Sequence, residues 1–147
     1  MPKLTDIRDK FKAAVLAHDS IVTFHSGIVN DVERLIRKEF PIFVIEPPQT
    51  STISGYRKMP FESYDVTFWI IKQQRVSDTE DDIWQKLEDL KDWGHDIIDA
   101  VISRSTPPSD YELDGDVRHD HYPYGFTDGT VAVQFTLTIN VADCRNI

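Results

Sequence analysis

The last strand-like segment constrains the fold most. From Thr130 to Val141 the chain alternates without a break. Val131, Val133, Phe135, Leu137, Ile139 and Val141 point one way, and Thr130, Ala132, Gln134, Thr136, Thr138 and Asn140 point the other. Successive side chains of a strand face opposite sides, so this segment requires a sheet with one buried and one polar face. Such a sheet must be covered on its apolar side, and helices are the natural cover.

The sequence supplies those helices. In residues 3–17, Ile7, Phe11, Ala14 and Val15 recur at i, i+4, i+7 and i+8, which predicts an amphipathic helix. A longer one follows Ser77 and Thr79, which offer caps, while Asp78, Glu80, Asp81 and Asp82 bring negative charge to its positive end. Ile83, Leu87, Leu90, Gly94, Ile97 and Val101 then keep helical spacing to about Ser103, a rod of roughly 36 Å. A third, short helix is expected within 26–39, where Val29, Val32, Ile36 and Phe40 share a face. Pro41 disfavours helical geometry at Phe40 and ends it.

Further strands are expected at 20–25, at 42–45 and at 63–73. In the last of these Tyr64, Val66, Phe68 and Ile70 alternate with Asp65, Thr67, Trp69 and Ile71. Another strand should start near Tyr111 and run to about Val117. A loop over 119–125 follows, with Asp128-Gly129 as the turn into the last strand. Residues 49–62 show almost no apolar pattern and read as a long loop. The predicted architecture is a single α+β domain over 1–147. Its mostly antiparallel sheet has about four or five strands and is packed on one face by two or three helices.

Composition narrows the function classes. The chain has 147 residues, 40% of them hydrophobic, which suits one well-filled core. No run approaches the roughly 20 apolar residues of a membrane helix, and the N-terminus carries no apolar signal segment. The protein is therefore expected to stay in the compartment where it is made. A single cysteine, Cys144, cannot form an internal disulfide. The formal charge of −9 opposes sequence-specific binding to nucleic acid, although it suits passive guidance of DNA.

Chemistry is sparse. His119 and His121 lie two apart on an extended stretch, and Asp114, Asp116 and Asp120 flank them. Such a group could begin a metal shell. However, Asp and Gly are ordinary turn residues and no motif fixes a third ligand, so the segment reads as a solvated loop. His18, His25 and His95 are scattered and form no triad with Ser or Cys144, and no glycine-rich phosphate loop is present. No catalytic residue, cofactor site or metal site is assigned, and the chain does not read as an enzyme.

Two surface features remain. Asp81, Glu88, Asp92, Asp96 and Asp99 fall opposite the apolar face of the long helix. This stripe reads either as a solvated face or as a surface that meets DNA without holding it. The aromatic and mixed residues Tyr56, Arg57, Met59 and Phe61 in one loop, and Tyr122, Tyr124 and Phe126 in another, are candidate assembly contacts.

The order of these parts is similar to that of a known group. A leading helix, the extended Ile21–Gly27, the Phe40–Pro48 strand and the Tyr64–Ile71 strand come in succession. An acidic-capped helix with Trp84 and Trp93 and a closing hairpin follow. This layout resembles tail-terminator and neck (head–tail connector ring) proteins of tailed phages. The resemblance implies a virion structural protein assembled in the host cytoplasm, forming a homo-oligomeric ring at the tail or neck. Such a ring would contact other tail, neck or portal proteins and pass DNA without sequence-specific binding. It implies no catalysis, no cofactor and no membrane. Two alternatives stay open: a monomeric protein-binding module without catalysis, and a small metal-dependent enzyme using His119 and His121.

Overall fold

A computed structural model of the chain describes residues 4–27, 39–54, 61–103, 111–124 and 129–142. The elements are α1 (Leu4–Leu16), β1 (Thr23–Ser26), β2 (Ile42–Glu46), β3 (Ser51–Ser54), β4 (Phe61–Gln73), α2 (Glu80–Ser103), β5 (Tyr111–Tyr122) and β6 (Thr130–Ala142). The fold is α+β; the described residues form two helices and a six-stranded, mostly antiparallel sheet.

The spine of the sheet is the β4–β6 pair. Both strands are 13 residues long and pair antiparallel from Phe61 opposite Ala142 to Gln73 opposite Thr130. β5 continues the sheet beyond β6, and β2 then β1 continue it on the other side, giving the order β1-β2-β4-β6-β5. β2 pairs with residues 67–71 of β4 and β3 with residues 61–64, so these two share one edge of β4. β1 is parallel to β2, and its approach is fixed by hydrogen bonds from the Val22 and Thr23 N–H groups to the Pro41 carbonyl.

The alternation read in β6 holds from Val133 onward, whereas Thr130 and Ala132, expected on the polar face, are buried. Val131, Val133, Phe135, Leu137, Ile139 and Val141 are all buried in the main core, whereas Gln134, Thr136, Thr138 and Asn140 are only half-buried. Both helices lie on that apolar face. α1 contributes Ile7, Phe11, Ala14 and Val15, and α2 contributes Leu90, Ile97, Ile98 and Val101. The opposite face is not uniformly polar. Ile42, Val44, Trp69, Ile71 and Ala132 form a second buried cluster there, joined by Phe40.

Beneath the helices, aromatic rings cross the sheet strand by strand. Phe24 stacks on Phe43 at 5.8 Å, Phe43 on Phe68 at 4.9 Å, and Phe68 on Phe135 at 4.7 Å. Phe11 closes over the row from α1, 5.5 Å from Phe68. Each fully buried ring contributes roughly 2–3 kcal/mol of apolar burial, and stacking adds to it. α2 reaches the end of this row because residue 94 is glycine. A Cβ there would lie 2.5 Å from Cε1 and Cε2 of Phe135.

The start of α2 is built as the sequence suggests. The Thr79 N–H donates to the Asp82 carboxylate at 2.9 Å, and the Asp82 N–H donates back to the Thr79 hydroxyl at 3.3 Å. This reciprocal pair satisfies donors that the first helical turn leaves open. Lys86 donates to Asp78 and to the Gln73 carbonyl, tying the first turns of α2 to the end of β4.

Three expectations change. Residues 49–62 are not one loop: Ser51–Ser54 forms β3 against β4, and Phe61 and Glu62 already belong to β4. The pairing needs only backbone groups, so the lack of apolar alternation did not prevent it. Residues 119–122 are not a loop either, because β5 runs on to Tyr122, pairing His119 with Phe135 and His121 with Val133. The strand expected at 20–25 is shorter and shifted, at Thr23–Ser26, which makes Ser26 part of β1. The rest of the short helix expected within 26–39 lies, from 28 to 38, outside the described residues.

Candidate functional site

Three features of α2 and β5 can carry function: the outer face of α2, the contact between α2 and β5, and the free flank of β5. With Leu90, Ile97, Ile98 and Val101 turned into the core, the helical period puts Asp81, Glu88, Asp92, Asp96 and Asp99 on the far side. All five are exposed, and the helix that carries them is 24 residues long. The acidic stripe of the sequence is therefore one exposed face, with a carboxylate at every turn from Glu88 to Asp99 and Gln85 between Asp81 and Glu88. One member is tied down: Asp96 meets the His18 imidazole at 3.0 Å, across the gap to the end of α1. Trp93 sits beside that contact, with His18 edge-on at 6.2 Å and the Lys72 ammonium 5.1 Å over its ring. Lys72 also reaches Asp89 at 3.7 Å. These side contacts fix how α2 rolls on the sheet and hold the stripe outward.

The other flank of α2 meets β5 through histidines. The His95 and His119 Nε2 atoms are 2.9 Å apart, with ring centroids at 4.9 Å. Both rings stand edge-on to Phe135, at 6.1 and 5.1 Å. Burial holds the His119 imidazole below its usual pKa. The nearby His95, Lys91 and His121 push the same way, and Asp120 pulls it back up. His121, two residues along β5, is exposed. Among the described residues, no three His, Cys, Asp or Glu side chains are grouped to hold a metal ion. The histidine pair suggested by the sequence, His119 with His121, is therefore not the pair that meets in space. His95 takes that place, and nothing in the local sequence signals it.

Among the described strands, β5 lies at an edge of the sheet. It breaks register between Asp114, opposite Thr138, and Arg118, opposite Thr136, with Gly115 at a φ of +76° inside the break. Glu112, Asp114, Asp116 and Arg118 make this edge charged and exposed.

The candidate assembly contacts are dispersed. Tyr122 ends β5 and lies 5.1 Å from Trp69, on the sheet face away from the helices. Tyr124 is 74% exposed. The backbone of Phe61 pairs with Ser54 and Ala142. Tyr56, Arg57, Met59 and Phe126 lie outside the described residues. The structure adds two large apolar side chains in the open around the start of α2, Trp84 at 64% exposure and Val76 fully exposed. The sequence signal for Trp84 was its position, one residue off the apolar repeat that includes Ile83.

No helix among the described residues is long and apolar enough to cross a membrane. The sequence matches no protein-family model and no curated protein.

Proposed function

We propose that this chain is a virion structural protein that forms an oligomeric ring at the tail or neck of a tailed phage. In that role it joins tail components to the portal or connector and passes DNA without reading or holding it. The observation that carries the reading is the stripe of exposed carboxylates along the outer face of α2, closely spaced from Glu88 to Asp99 with Asp81 two turns before it. Repeated around a lumen, such a line repels phosphates over a Debye length of about 8 Å and keeps a passing duplex mobile. The order of elements, similar to that of tail-terminator and neck proteins, supplies the virion context. Exposed Tyr124, Trp84 and Val76 supply apolar area for contacts between copies. A heterologous contact that closes on itself makes a ring. The role requires neither catalysis nor a cofactor.

One observation favours the second reading, a monomeric protein-binding module. The broken register and the charges of β5 are devices that keep an edge strand from pairing with another chain. In a ring, contacts would therefore run through side chains around Trp84 and Tyr124 rather than by strand addition at β5.

Electron microscopy of the purified protein tests the proposal. The ring reading expects annular particles with a central hole. A field of featureless particles of single-chain size, persisting when the protein is mixed with tail-tube or portal protein, would contradict it.

A further inference from the structure

We infer that His95 and His119 form a two-histidine site for a divalent transition-metal ion of the copper or nickel class, fastening α2 to the edge strand β5. Their Nε2 atoms lie 2.9 Å apart. A metal bound by imidazole at about 2.05 Å, with two ligands at right angles, sets their nitrogens about 2.9 Å apart; a tetrahedral angle sets them near 3.3 Å. The observed separation matches the right-angled arrangement, which tetragonal Cu2+ and Ni2+ prefer.

The rings are also held in place before any ion arrives. Both lean edge-on against Phe135, itself stacked on Phe68; the half-buried His119 is held more closely than the exposed His95, so part of the side-chain freedom is already lost before binding. The surrounding charge is mixed. Asp92 and Asp99 lie about one turn from His95 on α2 and Asp120 adjoins His119 on β5, whereas Lys91 outweighs Asp120 at the His119 ring and opposes the ion. The facing residues of β6, from Gln134 to Thr136, carry no charge.

The balance of protons is simple. In the metal-free pair one neutral imidazole donates its Nε2–H to the Nε2 of the other. On binding, the donor ring changes tautomer and keeps its proton on Nδ1, so both Nε2 lone pairs face the ion and no net proton is released. Because no third His, Cys, Asp or Glu joins the pair among the described residues, water completes the shell.

The inference does not depend on the assembly reading, and its test is separate. Tag-free full-length protein is titrated with CuCl2 and NiCl2 by calorimetry near pH 7.5. The Cu2+ form is then examined by electron paramagnetic resonance. The expected result is one saturable site per chain, with hyperfine splitting from two nitrogens, lost in both H95Q and H119Q. Should either variant fold poorly, proton NMR of the wild-type protein decides. Substoichiometric Cu2+ should broaden the His95 and His119 ring resonances before those of His18, His25 and His121. Wild-type binding in both folded variants, broadening centred on another histidine, or adventitious uptake without saturation would each overturn the site.

Discussion

Gly94→Ala is expected to destabilise the protein, against the usual trend. In an open helix that change gains about 1 kcal/mol, because alanine is the better helix former. Here the new methyl would meet Phe135, 2.5 Å from two ring carbons whose normal contact distance is about 3.7 Å. Relief needs a displacement of more than about 1 Å. The ring has nowhere to go, since it is stacked at 4.7 Å on Phe68 and flanked by His119 at 5.1 Å. The helix must therefore lift from the sheet, loosening Leu90 and Ile97, which are buried on either side of Gly94. Overpacking of this kind costs about 3 kcal/mol, leaving a net loss of about 2 kcal/mol after the helix gain. For a domain of this size that lowers Tm by roughly 4–8 °C. Urea unfolding followed by circular dichroism measures it. Phe135→Leu supplies the control: in its background Gly94→Ala should cost at least about 1 kcal/mol less. A G94A protein as stable as the parent would refute the close packing of α2 on β6.

Other outcomes follow from the same structure. Thr79→Ala should cost about 1 kcal/mol in urea unfolding, because the reciprocal cap with Asp82 is lost. The Lys86 hydrogen bond, aided by the Arg75 N–H, holds the Asp78 carboxyl below its ordinary value of 3.8. Its stabilisation is therefore full above that value and drains away as pH falls through the lowered one; Asp78→Asn should flatten this acid limb of the stability curve while leaving neutral-pH behaviour folded. Neutralising the stripe by D81N, E88Q, D92N, D96N and D99N moves the net charge from −9 to −9 + 5 = −4. Fluorescence anisotropy at low salt should then show DNA retention that the parent lacks, and none at high salt if the effect is electrostatic. Tyr124→Ser should weaken self-association in sedimentation without moving Tm, whereas Tyr122→Ser should lower stability by about 1 kcal/mol through its lost contact with Trp69.

Most of the scaffold was legible because its signals are local. The helical spacing of Ile7, Phe11, Ala14 and Val15, and the alternation of Val131 to Val141, each need only neighbours in the chain to be read, and both faces are buried as expected. β3 escaped because Ser51–Ser54 has no apolar rhythm and is a strand only by adding backbone pairs to β4. The second half of β5 escaped for a different reason. Its positions on the helix-covered side are His119, half-buried, and His121, exposed, so that side of the strand looks polar. The acidic stripe was readable from helical period alone. The His95–His119 contact was not: it depends on the β5–β6 register, on the break at Gly115 and on the close approach that Gly94 permits. The side contact of His18 with Asp96 likewise depends on how the two helices lie together.

The central claim is that copies of this chain close into a ring, and the mass of the assembled protein tests it most directly. Native mass spectrometry across a concentration series should give one discrete oligomer, a multiple of 17.0 kDa that does not change with further concentration. A 17.0 kDa species at every concentration, unchanged by tail-tube or portal protein, would contradict the ring and leave the binding module as the account of this surface.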